Sequence, residues 1–483
     1  MSAQQPNVLL IVTDQQQART VEDDCPAYTP NLSRLADEGV RYDRAYTPCP
    51  VCSPARASLY SGLYPHKHGT LTVVHSRPAI QLTHGSGMRY FTQPLREAGY
   101  NQALVGRWHI TADEDPTVAG YDEVFHTSEV KEIRKQAGLP EDFFDASCLK
   151  NPVYLKRPGW NDWLMSAELT DPKEMTVDGA VGEQAVKTLN NLTRQDQPWH
   201  LAVGFFGPHD PYSAPSEYTE RYDPRSISEP PNRQDPLDDR PALYRRHRRE
   251  LWDRIDWPDQ AKAISRYWAS CAMVDDYVGR LMRILDETGQ ADNTLVIFTS
   301  DHPDMMASHG MFLKGIYPYE AGWRIPLIMR WPGRFPAGRK ESDAYVSLLD
   351  IAPTILTAAG LPVWDDADGA PLQDLIDQPT PEERQSFYGE FHGGEYYYAQ
   401  RVLWARDHKL VFNSFDEDEL YDLKNDPHER RNLAGDPAHR SVLNDMQERY
   451  WTCHEASHDF LNLSYPSIAL FPFGPDQTTW KKK

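Results

Sequence analysis

Asn7-Val8-Leu9-Leu10-Ile11-Val12-Thr13-Asp14 is the stretch whose reading decides the fold. It is short, β-branched and continuously apolar, which predicts a strand buried on both faces. It ends on an acid. Working outward, Thr29 and Pro30 supply an N-cap and a first helical position, with Leu32, Leu35 and Ala36 on one face and Gly39 as terminator. A second helix opens near Pro54. Ala103–Val105, His200–Phe206 and Thr294–Thr299 predict further strands, and Ala263–Leu285 a long helix ending before Gly289. Alternating strands and helices imply an α/β fold with a mostly parallel sheet between helices. Polar residues follow the strands: Asp14, His209, Asp301 and His302. Each alone reads as a solvated loop residue. In open α/β sheets, however, ligands bind beyond the carboxyl ends of the strands, so together these residues are expected to converge.

At 483 residues the chain exceeds one ordinary core. We expect a large domain over residues 1–375 and a smaller α+β domain over 376–483, where short strand-like pieces (Arg401–Ala405, Lys409–Phe412) precede a helix near Ser441–Tyr450. Residues 213–260, rich in Pro, Asp and Arg, read as an insertion over one face. Its Arg245-Arg246-His247-Arg248-Arg249 run is a solvated helix face or, alternatively, a rim contact for an anion or another subunit. Lys+Arg total 50 against 71 Asp+Glu, a net charge of −21. That balance argues against nucleic-acid binding and against docking on an anionic membrane, and it requires any anion site to be locally positive. The apolar run Val8–Val12 is too short for a signal or a membrane span, so the expectation is a cytoplasmic protein unless a leader is missing. The 6 cysteines form no disulfide framework. Cys49 and Cys52 make a C-x-x-C pair, but no second pair follows to complete a zinc site.

The strongest local signal is Cys52-Ser53-Pro54-Ala55-Arg56-Ala57-Ser58. Pro54 suits a first helical turn, which puts Cys52 at a helix N-terminus where free N–H groups and the dipole favour negative charge. Arg56 is then expected to return across that turn to the nucleophile. Alone, the motif reads better as a buried Cys followed by a helix start.

The motif resembles the C-x-P-x-R signature of the type I, formylglycine-dependent sulfatases of the alkaline phosphatase superfamily. The resemblance extends along the chain. It includes the opening strand with Asp14, Thr29-Pro30-Asn31-Leu32, Gly106-Arg107-Trp108-His109 and Pro208-His209-Asp210-Pro211-Tyr212. It continues through Ser300-Asp301-His302 with His309-Gly310 and Lys314, Arg324-Ile325-Pro326-Leu327, and Glu419-Leu420-Tyr421-Asp422-Leu423 with Asn425-Asp426-Pro427. It implies a large mixed sheet sandwiched by helices with a smaller C-terminal α+β subdomain. It also implies hydrolysis of organic sulfate esters, carbohydrate sulfates among them, by a formylglycine made from Cys52 by a maturation enzyme. Asp14, Gln15, Asp301, His302 and residue 52 would hold one divalent metal. Ca²⁺ comes first, and the imidazole keeps Mn²⁺, Mg²⁺ and Zn²⁺ open. Arg56, Arg107 and His109 would hold the hydrated aldehyde. His209 and Lys314 would bind sulfate and assist the leaving oxygen, and His109 would take the proton that releases sulfate.

Tyr212, Arg324 and His66 are further substrate-binding candidates. His68, His75 and His84 read as structural or rim residues, and Tyr319 and Trp323 as core or pocket wall. Many relatives have Asp for Gln15, Asn for His302, Lys for Arg107 and Gly for Pro303. The Asp14-Gln15 and Asp301-His302 pairs also resemble those of phosphonate monoester and phosphodiester hydrolases of the same superfamily, which is the second reading. A catalytically silent binding protein is the third, although the nucleophile and every ligand position are retained here. Oligomeric state stays open.

Overall fold

The computed structural model describes residues 5–75, 87–113, 115–376, 380–393, 398–459 and 469–470. The candidate rim residue His84 and the tail at Lys481–Lys483 lie outside them.

An eight-stranded sheet forms the centre. From edge to edge it runs Arg339–Glu341, Val40–Tyr42, Leu327–Arg330, Thr294–Ser300, Asn7–Asp14, Trp199–Pro208, Asn101–Gly106 and Glu123–His126. Only Leu327–Arg330 is antiparallel to its neighbours. The Asn7–Asp14 strand is central and every residue in it is buried. Its side chains alternate between two cores. Val8, Leu10 and Val12 pack with the layer containing helix Cys52–Ser61, and Leu9 and Ile11 with the layer of helices Val177–Leu192 and Trp257–Glu287.

Helix Pro30–Asp37 forms as expected, but its cap differs. The Thr29 hydroxyl donates backward to the carbonyl of Thr20. The free N–H groups of Asn31 and Leu32 instead reach the carboxylate of Asp275, at 3.1 and 2.7 Å, from the neighbouring helix Trp257–Glu287. A tertiary contact thus replaces a local one. That helix begins at Trp257, ahead of the expected Ala263, because Asp256 caps it by accepting from the N–H of Asp259.

The 213–260 segment is more ordered than its composition suggests. Tyr212–Pro215 is a strand paired with Trp163–Leu169, which pairs in turn with Leu149–Leu155. Ala242–Glu250 is a helix on which Arg245, Arg248 and Arg249 meet Asp238, Asp253 and Glu250. These local ion pairs favour the solvated-face reading.

The C-terminal region carries a separate antiparallel sheet, Ser386–Phe391, Gln400–Ala405, His408–Asn413 and Glu419–Asp422, backed by helix Arg440–Ser457. One face shares a core with that helix. The other packs into the aromatic core around Tyr46, Tyr319 and Trp323. No helix among the described residues is long and apolar enough to cross a membrane.

Replacing Asp275 with Ala strands the first N–H groups of helix Pro30–Asp37. We expect a loss of about 1–2 kcal/mol, read from the midpoint of urea unfolding.

Candidate active site

The strand-end residues do converge. Asp14 closes the central strand. Asp301 and His302 follow the adjacent strand on one side, and His209 follows the one on the other. Arg107 and His109 follow the next strand out. Helix Cys52–Ser61 points its N-terminus at them. It starts because Val51 is extended, and it stops at Gly62, whose φ of 69° suits a residue without Cβ. Cys52 therefore occupies the first helical position, 2% exposed. Its Sγ lies 3.1 Å from Lys314 Nζ, 3.2 Å from His302 Nε2 and 3.8 Å from Asp14 Oδ1. Burial opposes a thiolate, but Lys314, His302, His109 and His209 outweigh it and hold the thiol well below its ordinary range.

The two buried carboxylates are each divided between an outer and an inner oxygen. Asp14 Oδ2 meets Arg107 Nε at 2.7 Å and Arg56 Nη2 at 3.1 Å, which leaves Oδ1 directed at Cys52 and His302. Asp301 Oδ2 accepts from Arg56 Nε at 2.8 Å, and its Oδ1 accepts the backbone N–H groups of Gln15 and His302. Burial pushes Asp14 up, but Arg107, His209 and Arg56 bring it below the usual carboxylate range. Asp301 is raised, by burial and then by Asp14. The Arg56 contacts revise the sequence expectation: its side chain braces both acids and the carbonyl of Arg107.

Hydrogen bonding fixes the imidazoles. His302 Nδ1 can only donate to the carbonyl of Pro303, so Nε2 is the nitrogen that faces Cys52 and Asp14. Asp14 Oδ1, Asp301, His302 and Cys52 offer ligand atoms within 4.8 Å of one another, all buried. Here the Cys52 sulfur stands where an oxygen of a modified residue would stand. This donor set fits a divalent cation, with hard oxygens and one imidazole. Beside them, Gln15 Oε1 accepts from Lys314 Nζ at 2.8 Å.

At the mouth, His209 Nδ1 donates to the carbonyl of Asp210, and Nε2 accepts from Lys314 at 2.7 Å. Burial and Lys314 pull His209 down, yet Asp210, Asp14 and the sulfur leave it raised. His109 Nδ1 accepts from Arg107 Nη2 at 2.9 Å, so its Nε2 carries the proton. In this arrangement His109 is a donor, and it becomes a base only when Arg107 lets Nδ1 go. Burial, then Arg107, holds it below its ordinary value. Arg107 and His209 keep 18 and 17% side-chain exposure, which marks the side open to solvent.

Three expected substrate contacts lie elsewhere. His66 is fully buried between Glu390 and the carbonyl of Ser457, tying the end of the nucleophile segment to the C-terminal region. Tyr212 is buried and donates to Asp304 at 2.7 Å. Arg324 pairs with Glu22 and the carbonyl of Asp43. His68 binds Ser58 and Thr70, a structural role as expected. His75 sits 5.3 Å, ring to ring, from His109. Tyr319 and Trp323 are wholly buried in the aromatic core. Sequence reasoning missed Asp304 and Asp210, although both stand within two residues of a predicted site histidine.

The Sulfatase family profile matches residues 6–361, and one described as N-sulphoglucosamine sulphohydrolase, C-terminal, matches 307–456. The uncharacterized sulfatase YidJ of Escherichia coli (strain K12) is 30% identical over 471 residues, covering 95% of this chain and 87% of its own. The arylsulfatase of Clostridium perfringens (strain 13 / Type A) is 26% identical over 485 residues, covering 92% and 93%. Among solved structures, the phosphonate monoester hydrolase SpPMH from Silicibacter pomeroyi superposes with a TM-score of 0.77 at 23% identity, covering 96% and 97%.

Removing Arg56 leaves two buried carboxylates with one fewer cation. In the metal-free protein we expect Arg56→Ala to cost about 3–5 kcal/mol in chemical denaturation, and Arg56→Lys to recover part of it.

Proposed function

Since the chain belongs to the sulfatase family and is a sulfuric ester hydrolase, we propose that Cys52 is the precursor of its nucleophile, a formylglycine, working beside one divalent metal. The observation that carries this reading is the cysteine itself. A buried thiol at a helix N-terminus faces Lys314, His302 and Asp14, so any atom at that position meets both a cation and a set of metal ligands.

Asp14, Gln15, Asp301 and His302 would hold the metal, with Ca²⁺ first and Mn²⁺ or Mg²⁺ as alternatives. The hydrated aldehyde would supply the attacking oxygen and a second hydroxyl for sulfate release, and the metal would supply positive charge against the ester oxygens. Arg56 acts behind both acids, keeping one oxygen of each turned inward. Lys314 and His209 share a hydrogen bond at the open side of the site. That pair binds the sulfate oxygens and delivers a proton to the departing alcohol oxygen, where charge develops. Arg107 contributes charge alone, since a guanidinium is a poor proton donor. His109, with its proton on Nε2, first holds the nucleophile as a donor. It can take up the proton that frees sulfate at Nε2 only as the other tautomer, its own proton having moved from Nε2 to Nδ1 after Arg107 releases Nδ1.

The substrate class we propose is a sulfate ester, including saccharide sulfates, which are named for the N-acetylglucosamine-6-O-sulfatase of Bacteroides thetaiotaomicron, 26% identical to this chain. The Gln15 and His302 pair favours a second reading, a phosphonate monoester or phosphodiester hydrolase. The maturation enzyme and the cytoplasmic location belong to the same proposal.

Peptide mass spectrometry checks the nucleophile. In protein from a host that matures sulfatases, the peptide with Cys52 should lose one sulfur and two hydrogens and gain one oxygen. A wholly unmodified thiol there sinks the proposal. Cys52→Ala should abolish turnover, and Lys314→Ala or His209→Ala should lower kcat by about 10²–10⁴-fold. Parallel kinetics on an aryl sulfate, a phosphate diester and a phosphonate monoester should rank the sulfate first, and the reverse ranking selects the second reading.

A further inference from the structure

Gln15 is the ambiguous ligand in this site. A carboxylate presents the same atom at either end, whereas an amide presents a metal-binding oxygen at one end and a cation-repelling NH₂ at the other. The backbone of Gln15 is fixed: its N–H goes to Asp301 Oδ1 at 3.2 Å, its carbonyl accepts from Tyr267 at 2.7 Å, and its φ is 70°. The remaining choice is which way the amide faces.

We infer that Asp304, assisted by Asp210, is a positioning residue that fixes this choice, turning the Gln15 oxygen to the metal pocket and Lys314. Both amide hydrogens meet carboxylates. Gln15 Nε2 lies 2.5 Å from Asp304 Oδ2 and 3.2 Å from Asp210 Oδ1, while Oε1 lies 2.8 Å from Lys314 Nζ. Carboxylates only accept and an ammonium only donates, so no other orientation satisfies the three neighbours. Asp304 is itself held rigidly. It is fully buried, Tyr212 donates to Oδ2 at 2.7 Å, and the N–H groups of Met306 and Leu313 donate to Oδ1 at 2.8 and 3.1 Å. Leu313 precedes Lys314, so one carboxylate also sets where the Lys314 segment leaves the wall.

This inference rests on the metal reading above, and its test reads metal affinity rather than turnover. Ca²⁺ and Mn²⁺ are titrated calorimetrically into the metal-stripped full chain, into Asp304→Asn, into Gln15→Ala and into the double variant, with folding verified by circular dichroism. Asp304→Asn is expected to weaken binding about 10–100-fold. In the Gln15→Ala background the same change is expected to add less than about 2-fold, because the residue through which it acts is gone. If Asp304→Asn weakens binding equally in both backgrounds, it acts by charge alone and the inference is overturned. Should Asp304→Asn not fold, the same cycle with Asp210→Asn decides, since that side chain is partly exposed and lies outside the buried hub. A smaller loss that vanishes in Gln15→Ala supports the clamp, and an equal loss in both backgrounds overturns it. A wild-type chain that binds neither ion removes the metal reading and this inference with it, whereas wild-type binding with additive losses removes the inference alone.

Discussion

Two acids, Asp14 and Asp301, are buried at the ends of neighbouring strands, and the rest of the site follows from making that burial tolerable. Parallel strands set them side by side, where desolvation and mutual repulsion both oppose ionisation. Arg56 answers from another layer: its guanidinium spans the outer oxygens of both acids, and Arg107 adds a second contact to Asp14. Because the outer oxygens are engaged, the inner ones share one small volume with His302 and Cys52. The cost of burying charge and the geometry of the pocket therefore have a common origin. The helix that carries Cys52 also carries this cation, four residues on.

The same economy recurs at the junction with the C-terminal sheet. Lys409 is fully buried among Tyr319, Trp404 and Tyr421 and pairs with Glu429 and Glu320. His66 meets Glu390 at a second buried contact across this junction. Breaking any one of these pairs would strand a charge in an apolar setting, so the sheet has one strongly preferred seating on the body.

Much of this was legible in the sequence because two periodicities are local. A continuous apolar run gave the buried central strand, and strand–helix alternation gave the parallel sheet. Punctuation after the strands located Asp14, His209, Asp301 and His302. What was hidden depends on pairing at a distance. The cap of helix Pro30–Asp37 comes from Asp275, more than two hundred residues on. The Leu149–Leu155 and Trp163–Leu169 hairpin has no clean alternation because its register is interrupted twice, between Lys150 and Val153 and between Val153 and Tyr154. His66, Tyr212 and Arg324 look like substrate contacts by proximity in sequence, yet each satisfies a remote partner. Asp304 went unremarked because an acid two residues beyond a ligand carries no signature until its four donors are seen.

Cys52 is sealed by its own neighbours, with Asp14 and His302 on one side and the Lys314 segment on another, and almost none of its surface is left to solvent. An active site built this way imposes an order in time. If Cys52 is altered as proposed, an enzyme that grips the backbone beside it would find that backbone in the first turn of a buried helix once the sheet closes. The alteration would then belong to the nascent or unfolded chain, with folding as its deadline. A molecule that folds first keeps its thiol for as long as it stays folded, so a cell's pool of this protein would hold two populations divided by a kinetic race rather than by an equilibrium.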